Sequence, residues 1–178
     1  MNLIENSIIK IQPFNDEHLD EFVVAVRESA ATVGKWMSWC HKEYSISEAR
    51  LWFESCQKNI NKQSAYDLGI FSKEHNQLLG SIAINRIDHE HKMGNIGYWV
   101  RETFQNQGIA SSAVQLIKEF GFNELGLNRL EIVVLEDNLF SRKVAEGSGA
   151  QFEWIAKNRL MHHQQTRIAV IYSLTPCD

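Results

Sequence analysis

The residues with the clearest chemical potential lie at Gln105-Asn106-Gln107-Gly108-Ile109-Ala110, where a polar run with one glycine opens a helical pattern. No aspartate or serine stands in front as a cap. The first turn of a helix presents backbone N–H groups that lack internal partners. The helix dipole adds partial positive charge there. Together they can hold a phosphate without lysine or arginine. Gly108 has no side chain to block close approach, Ala110 is nearly as small, and Gln105 and Gln107 can add side-chain donors. A bound anion would supply the acceptors that a cap otherwise provides; an ordinary loop with water on its amides is the other reading. Neither G-x-x-x-x-G-K-[ST] nor G-x-G-x-x-G is present, so any phosphate cradle is of another kind.

Two further groups stand out. Asn138 and Ser141 have the spacing Asn-x-x-Ser, which by itself reads as a helix N-cap followed by a first-turn serine. Trp36-Met37-x-Trp39 reads by itself as a hydrophobic cover over helices. Asp88-His89-Glu90-His91 and His162-His163 fall on connections between strands and read as solvated turns; no metal site is expected. Arg142 and Lys143 read by themselves as surface charges on a short helix.

The elements that must position these residues follow from periodicity. "SIIKIQPF" is an opening strand closed by Pro13, and Asn15 or Asp16 can cap a helix with Leu19, Phe22, Val23 and Val26 on one face. Ser45 and Glu48 have capping-box spacing before a helix faced by Ala49, Trp52, Phe53, Cys56 and Ile60. "AYDLGIF" and "QLLGSIAIN" form a hairpin around "SKEHNQ", and "NIGYWV" is the next strand. From Ile109 the apolar positions Ala113, Leu116, Ile117 and Phe120 keep helical spacing until Gly121 or Gly126. "RLEIVVL" is a β-branched strand, a short helix follows Asn138, and "FEWIAKNRL" with "RIAVIYSL" makes a last hairpin. The order is β-α-α-β-β-β-α-β-α-β-β. That predicts an α+β fold: one seven-stranded, mixed but mostly antiparallel sheet with helices on both faces and a parallel crossover from about 95 to 135.

Composition narrows the class. A length of 178 residues with 44% hydrophobic content suits one domain spanning 1–178. A net charge of -4 argues against an extended nucleic-acid surface. Cys40, Cys56 and Cys177 are scattered and odd in number, which fits a reducing, cytoplasmic setting rather than a disulfide framework. The N-terminus lacks the basic-then-apolar pattern of a secretory signal, and no apolar run approaches a membrane span.

Q-N-Q-G-I-A resembles the [QR]-x-x-G-x-[GA] signature of the GNAT superfamily of acyl-CoA N-acyltransferases. "IGYWV", "RLEIVVLEDNLFSRKVAE" and the final hairpin match that family in order, and "GKWMSWC" resembles an element of its RimJ/RimL-type branch. The resemblance spans almost the whole chain. It implies a GNAT fold, acetyl-CoA as cosubstrate, no metal, and transfer of an acetyl group to a primary amine such as a protein N-terminus. It implies that Gln105, Gln107, Gly108, Ile109, Ala110 and Ser111 hold the pyrophosphate. Trp99 would flank the thioester, where the strand splays from its neighbour at a bulge, and the Val100 N–H would polarise the acetyl carbonyl. Asn138 would contact the pantetheine and Ser141 would serve the departing thiolate. Many members use a tyrosine for that last job, and none lies near Ser141 in sequence; Phe140 stands where alanine is common. Trp36 and Trp39 would bind the acceptor.

The base is open: Asn95 stands where related sequences often carry glutamate, and Glu131 and Glu43 are distant alternatives. Direct attack on the thioester is favoured, since no cysteine is placed as a relay. A non-catalytic acyl-CoA sensor on the same fold is the alternative, and an unrelated phosphate-ligand protein a third. Monomer and homodimer both fit.

Overall fold

The computed structural model describes residues 4–176; Cys177 lies outside them. Its strands are β1 (Ile4–Glu5), β2 (Ile9–Gln12), β3 (Tyr66–Ser72), β4 (Leu78–Asp88), β5 (Met93–Val100), β6 (Arg129–Leu135), β7 (Gln151–His162) and β8 (Gln165–Leu174). Its helices are α1 (Leu19–Glu28), α2 (Ile46–Asn61), α3 (Ile109–Asn123) and α4 (Leu139–Gly147). The strands form one sheet in the order β1-β2-β3-β4-β5-β6-β8-β7, and only β5 and β6 pair in parallel. The α+β architecture and the element order are as the periodicity predicts, with eight strands instead of seven. The extra one, β1, has two residues, too few for alternation to register, and it folds back where the Asn6 side chain accepts from the N–H groups of Ile8 and Ile9.

Local signals account for the helices. Ser45 and Glu48 close a reciprocal capping box at the start of α2, with Ser45 N–H to Glu48 at 2.8 Å and Glu48 N–H to Ser45 Oγ at 3.2 Å. Asn15 caps a short 3₁₀ turn, Asp16–His18, that leads into α1. On α2 the residues Ala49, Phe53 and Cys56 are buried, whereas Trp52 is partly exposed at the edge of a cavity. α3 runs through Gly121 to Asn123 before the left-handed Gly126.

Two apolar cores lie on opposite faces of the sheet. Alternation puts Tyr66, Leu68, Ile70, Ile82, Ile84 and Ile96 against α3. The other face sends Phe71 and Trp99 into a cluster with Phe22, Val26 and Phe53 from α1 and α2. Each fully buried aliphatic or aromatic side chain contributes roughly 1.5–3 kcal/mol. The cores therefore hold the sheet rigid on both sides of β5, the strand that carries the candidate site.

Candidate functional site

β5 pairs with β4 along Asn95 to Val100, opposite Asn85 to Gly80. On its other edge it pairs with β6 only at Met93, Gly94 and Asn95. Both strands continue past that point, so they diverge and leave a gap. Antiparallel pairing alternates the side to which N–H groups point. Arg101 N–H donates to the Leu79 carbonyl at 2.8 Å, which fixes the phase. The N–H groups of Asn95, Gly97 and Trp99 therefore face β4, while those of Tyr98 and Val100 face the gap. The register shift expected within "NIGYWV" lies instead in β4, between Asn85 and Asp88, where Arg86 takes a left-handed φ of 51°. The gap is made by strand divergence and not by a bulge in β5.

The cradle sits beyond the end of β5. Gly108 is the N-cap of α3, with φ 76°, ψ 2° and no side-chain cap. A Cβ there would meet nothing within 4 Å, so the space over the first turn is open. The first bond into the helix is from Ser112 N–H to the Gly108 carbonyl at 3.0 Å. Among the described residues, the N–H groups of Ile109, Ala110 and Ser111 have no protein acceptor. Ile109 turns its side chain into the core while its amide stays at the helix end. The glutamines do something else. Gln105 Nε2 donates to the Val100 carbonyl at 3.0 Å and to Thr32 Oγ1 at 3.2 Å, and Gln107 Nε2 donates to the Thr103 carbonyl at 3.2 Å. Both are engaged in shaping the loop, so the cradle's donors are main-chain amides. These amides and the gap beside β5 fit a pyrophosphate joined to an extended arm.

α4 borders the gap on the α3 side. Asn138 Oδ1 accepts from Ser141 N–H at 3.2 Å, the cap its sequence position predicts. The Tyr98 phenol donates to the Ser141 carbonyl at 2.9 Å and lies 3.0 Å from Ser141 Oγ. The tyrosine absent from the neighbouring sequence thus arrives from a strand 43 residues away. Burial, opposed by the Ser141 bond, pushes the Tyr98 phenol up to about 12, so it keeps its proton at neutral pH.

The opposite face of β5 opens on a cavity of about 330 Å³, lined by Met37, Trp39, Tyr44, Asp67, Gly97 and Trp99 among others. Trp99 is buried, and its ring meets Phe22 and Trp39 edge-on at 5.9 and 5.7 Å. Its ring therefore lies on the face of this cavity and not beside the gap, where it was expected. Trp39 lines the cavity and is partly exposed. Trp36 does not line it and instead lies under Lys35 Nζ at 4.6 Å. A Cβ on Gly97 would meet only Asn85 Nδ2 at 3.6 Å, which leaves the floor open.

Two residues of this cavity escaped sequence reasoning. Asp67 is a carboxylate in the apolar strand "AYDLGIF", on the face opposite Tyr66, Leu68 and Ile70; its signal was a charge at a buried period-two position. Asn85 hydrogen-bonds Asn95 across the β4–β5 pair at 3.0 Å and had no signal of its own. Asp88 holds a turn by accepting from His91 N–H at 2.9 Å, and Arg142 is engaged with Tyr172 and the Glu136 carbonyl. Among the described residues no three His, Cys, Asp or Glu side chains gather as metal ligands.

Comparison with known proteins agrees with this geometry. Residues 9–151 match the acetyltransferase (GNAT) domain family. The Bacillus subtilis (strain 168) protein "Probable N-acetyltransferase YjcK" is 30% identical over 118 residues, 66% of this chain and 65% of that protein. The matched stretch thus spans just under two thirds of that relative. The ribosomal-protein-serine acetyltransferase of Escherichia coli (strain K12) is 37% identical over 81 residues, 46% of this chain and 45% of that one. Among solved structures, RimL, a ribosomal alpha-N-protein acetyltransferase in complex with coenzyme A, superposes with a TM-score of 0.89 over 98% of both chains. At 22% identity that likeness is one of fold.

Proposed function

This chain belongs to the acetyltransferase (GNAT) family, and we propose that it moves the acetyl group of acetyl-CoA directly to a primary amine at the end of a protein chain. The observation that carries the reading is the divergence of β5 and β6, which leaves the Val100 N–H facing a gap between the amide cradle and Ser141. Acetyl-CoA supplies an activated thioester. The amides of Gly108 to Ser111 bind its pyrophosphate, with Gly108 allowing close approach. Free N–H groups along β5 pair with the pantetheine arm, and the side-chain amide of Asn138 lies on the same border. Val100 N–H donates to the acetyl oxygen as that oxygen gains negative charge, the role of a preorganised backbone donor.

Ser141 Oγ serves the departing thiolate. When its proton goes to sulfur, the Tyr98 O–H turns from the Ser141 carbonyl to donate to Ser141 Oγ, and the neutral phenol makes that relay available across the physiological range. Trp39 and Met37 wall the acceptor on the other face, where the amine approaches over Gly97. An N-terminal acceptor sets the reaction in the cytoplasm, where chains leave the ribosome. The likeness to an E. coli ribosomal-protein-serine acetyltransferase supports an N-terminal serine as the first acceptor to try.

The test is calorimetric titration of acetyl-CoA into the wild type and Gly108→Trp. Binding lost in a folded variant supports the cradle. Binding without turnover on any amine would favour the sensor reading, and no binding at all would sink both.

A further inference from the structure

We infer that Asp67 is the group that receives the proton of the incoming ammonium, with the Asn85–Asn95 pair holding the water that carries it. This rests on the acetyltransferase reading above and names the base which that reading lacks. Asn95, at the fork of β5 and β6, has no basic side chain. Asp67 faces the same side of the sheet: it lies opposite Ala83, and Ala83 lies opposite Gly97. Two interstrand spacings, roughly 10 Å, separate it from Gly97, and the residues between are small. That distance suits a carboxylate acting through water.

Three observations point to Asp67. It is 8% exposed, yet among the described residues it has no ion-pair partner. A buried carboxylate without a cation is costly and clusters at functional sites. It lines the acceptor cavity and also the adjoining cleft of about 380 Å³. That cleft holds the second observation: Asn95 Oδ1 is buried and accepts from nothing, while Asn95 Nδ2 donates to Asn85 Oδ1. Whichever way the two amides are set, one carbonyl oxygen is used within the pair and the other is left for an outside donor such as water or an ammonium. The third is chemical: burial pushes the Asp67 carboxyl up to about 6, against the lowering effect of a hydrogen bond to Asn59. A base of that strength is mostly ionised at neutral pH and strong enough to accept a proton there.

The titratable and charged groups around Asp67 are few. Cys56 faces it from α2, its thiol pushed up by burial and by Asp67 itself. Tyr44 lies across the cavity, its phenol pushed up to about 12, chiefly by burial. Arg86 lines the adjoining cleft. Neither Cys56 nor Tyr44 titrates near 6. The protons balance. Asp67 takes one from the ammonium, the freed lone pair forms the N–C bond, and the C–S bond breaks. The second nitrogen proton leaves to water, Ser141 gives one to the thiolate and regains one from water, and Asp67 returns its proton to solvent, for a net release of one.

The experiment uses Asp67→Asn, which keeps size and hydrogen-bonding capacity, with acetyl-CoA and a synthetic peptide bearing a free N-terminal serine. Acetyl-CoA affinity should be unchanged, and kcat at pH 7 should fall about five- to tenfold. In the wild type the acid limb of the kcat profile should lie near pH 6. In the variant it should move up to the amine's own pKa, about 7.7–8.0, so that the two enzymes converge at high pH. A purely structural role would not move that limb. Equal kcat and an unmoved limb in Asp67→Asn overturn the assignment while leaving the acetyltransferase reading intact. Should the variant not fold, the wild-type profile decides: a limb near 6 supports Asp67, and one following the amine overturns it. A wild type that acetylates no amine overturns the proposed function, and the role of Asp67 with it.

Discussion

The face of β5 that carries Tyr98 meets α3 and α4, while the face that carries Gly97 and Trp99 meets α1, α2 and the loop at 33–44. The first is built largely from main-chain groups: amides at the start of α3, N–H groups along the gap, and one serine–tyrosine pair. The second is built from side chains of β3, β4, α2 and a loop. The difference fits what each side must recognise. A cosubstrate common to a whole family can be held by backbone that any sequence supplies. On the proposed reading, the acceptor is read by side chains.

Disturbing one face should leave the other's parameter alone. The largest effect is expected on the cofactor face. Gly108→Trp should weaken acetyl-CoA binding about 1000-fold, a loss of about 4 kcal/mol by calorimetry. The forced left-handed φ should also lower stability by roughly 1–2 kcal/mol in a denaturant melt. An unchanged affinity would break the comparison at its first term.

Next comes a stability effect on the acceptor face. The folded Asp67 carboxyl is pushed up from 3.8 to about 6, so its charged form is disfavoured by folding. Below pH 3.8 it is protonated in both states and imposes no penalty. As pH rises through 3.8 to 6 the unfolded chain releases its proton first, and stability falls; above 6 the full penalty, on the order of 3 kcal/mol, is present. Asp67→Asn should therefore be more stable than the wild type at pH 7, with the difference closing toward pH 4 in urea melts across that range.

Ser141→Ala should lower kcat about 100-fold with the acetyl-CoA affinity kept, and Tyr98→Phe about tenfold, because it removes only the relay behind Ser141. The smallest change is Trp39→Ala: an acceptor KM raised about tenfold and a kcat within a factor of two, read from steady-state kinetics with the serine peptide.

The same contrast explains what the sequence reveals. Element order, the capping box at Ser45 and Glu48, and the uncapped turn at Gly108 are local, carried by spacings of a few residues. So is the Asn138 cap. The rest depends on long-range assembly. Tyr98 reaches Ser141 across 43 residues, and Gln105 reaches back 73 residues to Thr32, which takes its side chain away from the cradle. Asp67 joins the site only because β3, β4 and β5 stack in a register that no local window contains. Trp36 and Trp39 differ by three positions yet have different surroundings, since the loop's turns, not its composition, aim them.

The central claim is acetyl transfer across the gap beside β5, and mass spectrometry tests it most directly. The protein would be incubated with acetyl-CoA and a peptide bearing a free N-terminal serine, with CoA thiol release followed in parallel. The account predicts one acetyl group on the α-amine for each CoA released, and no transfer to a peptide already blocked at its N-terminus. Tight acetyl-CoA binding with no acetylated product from this or any other amine would contradict it.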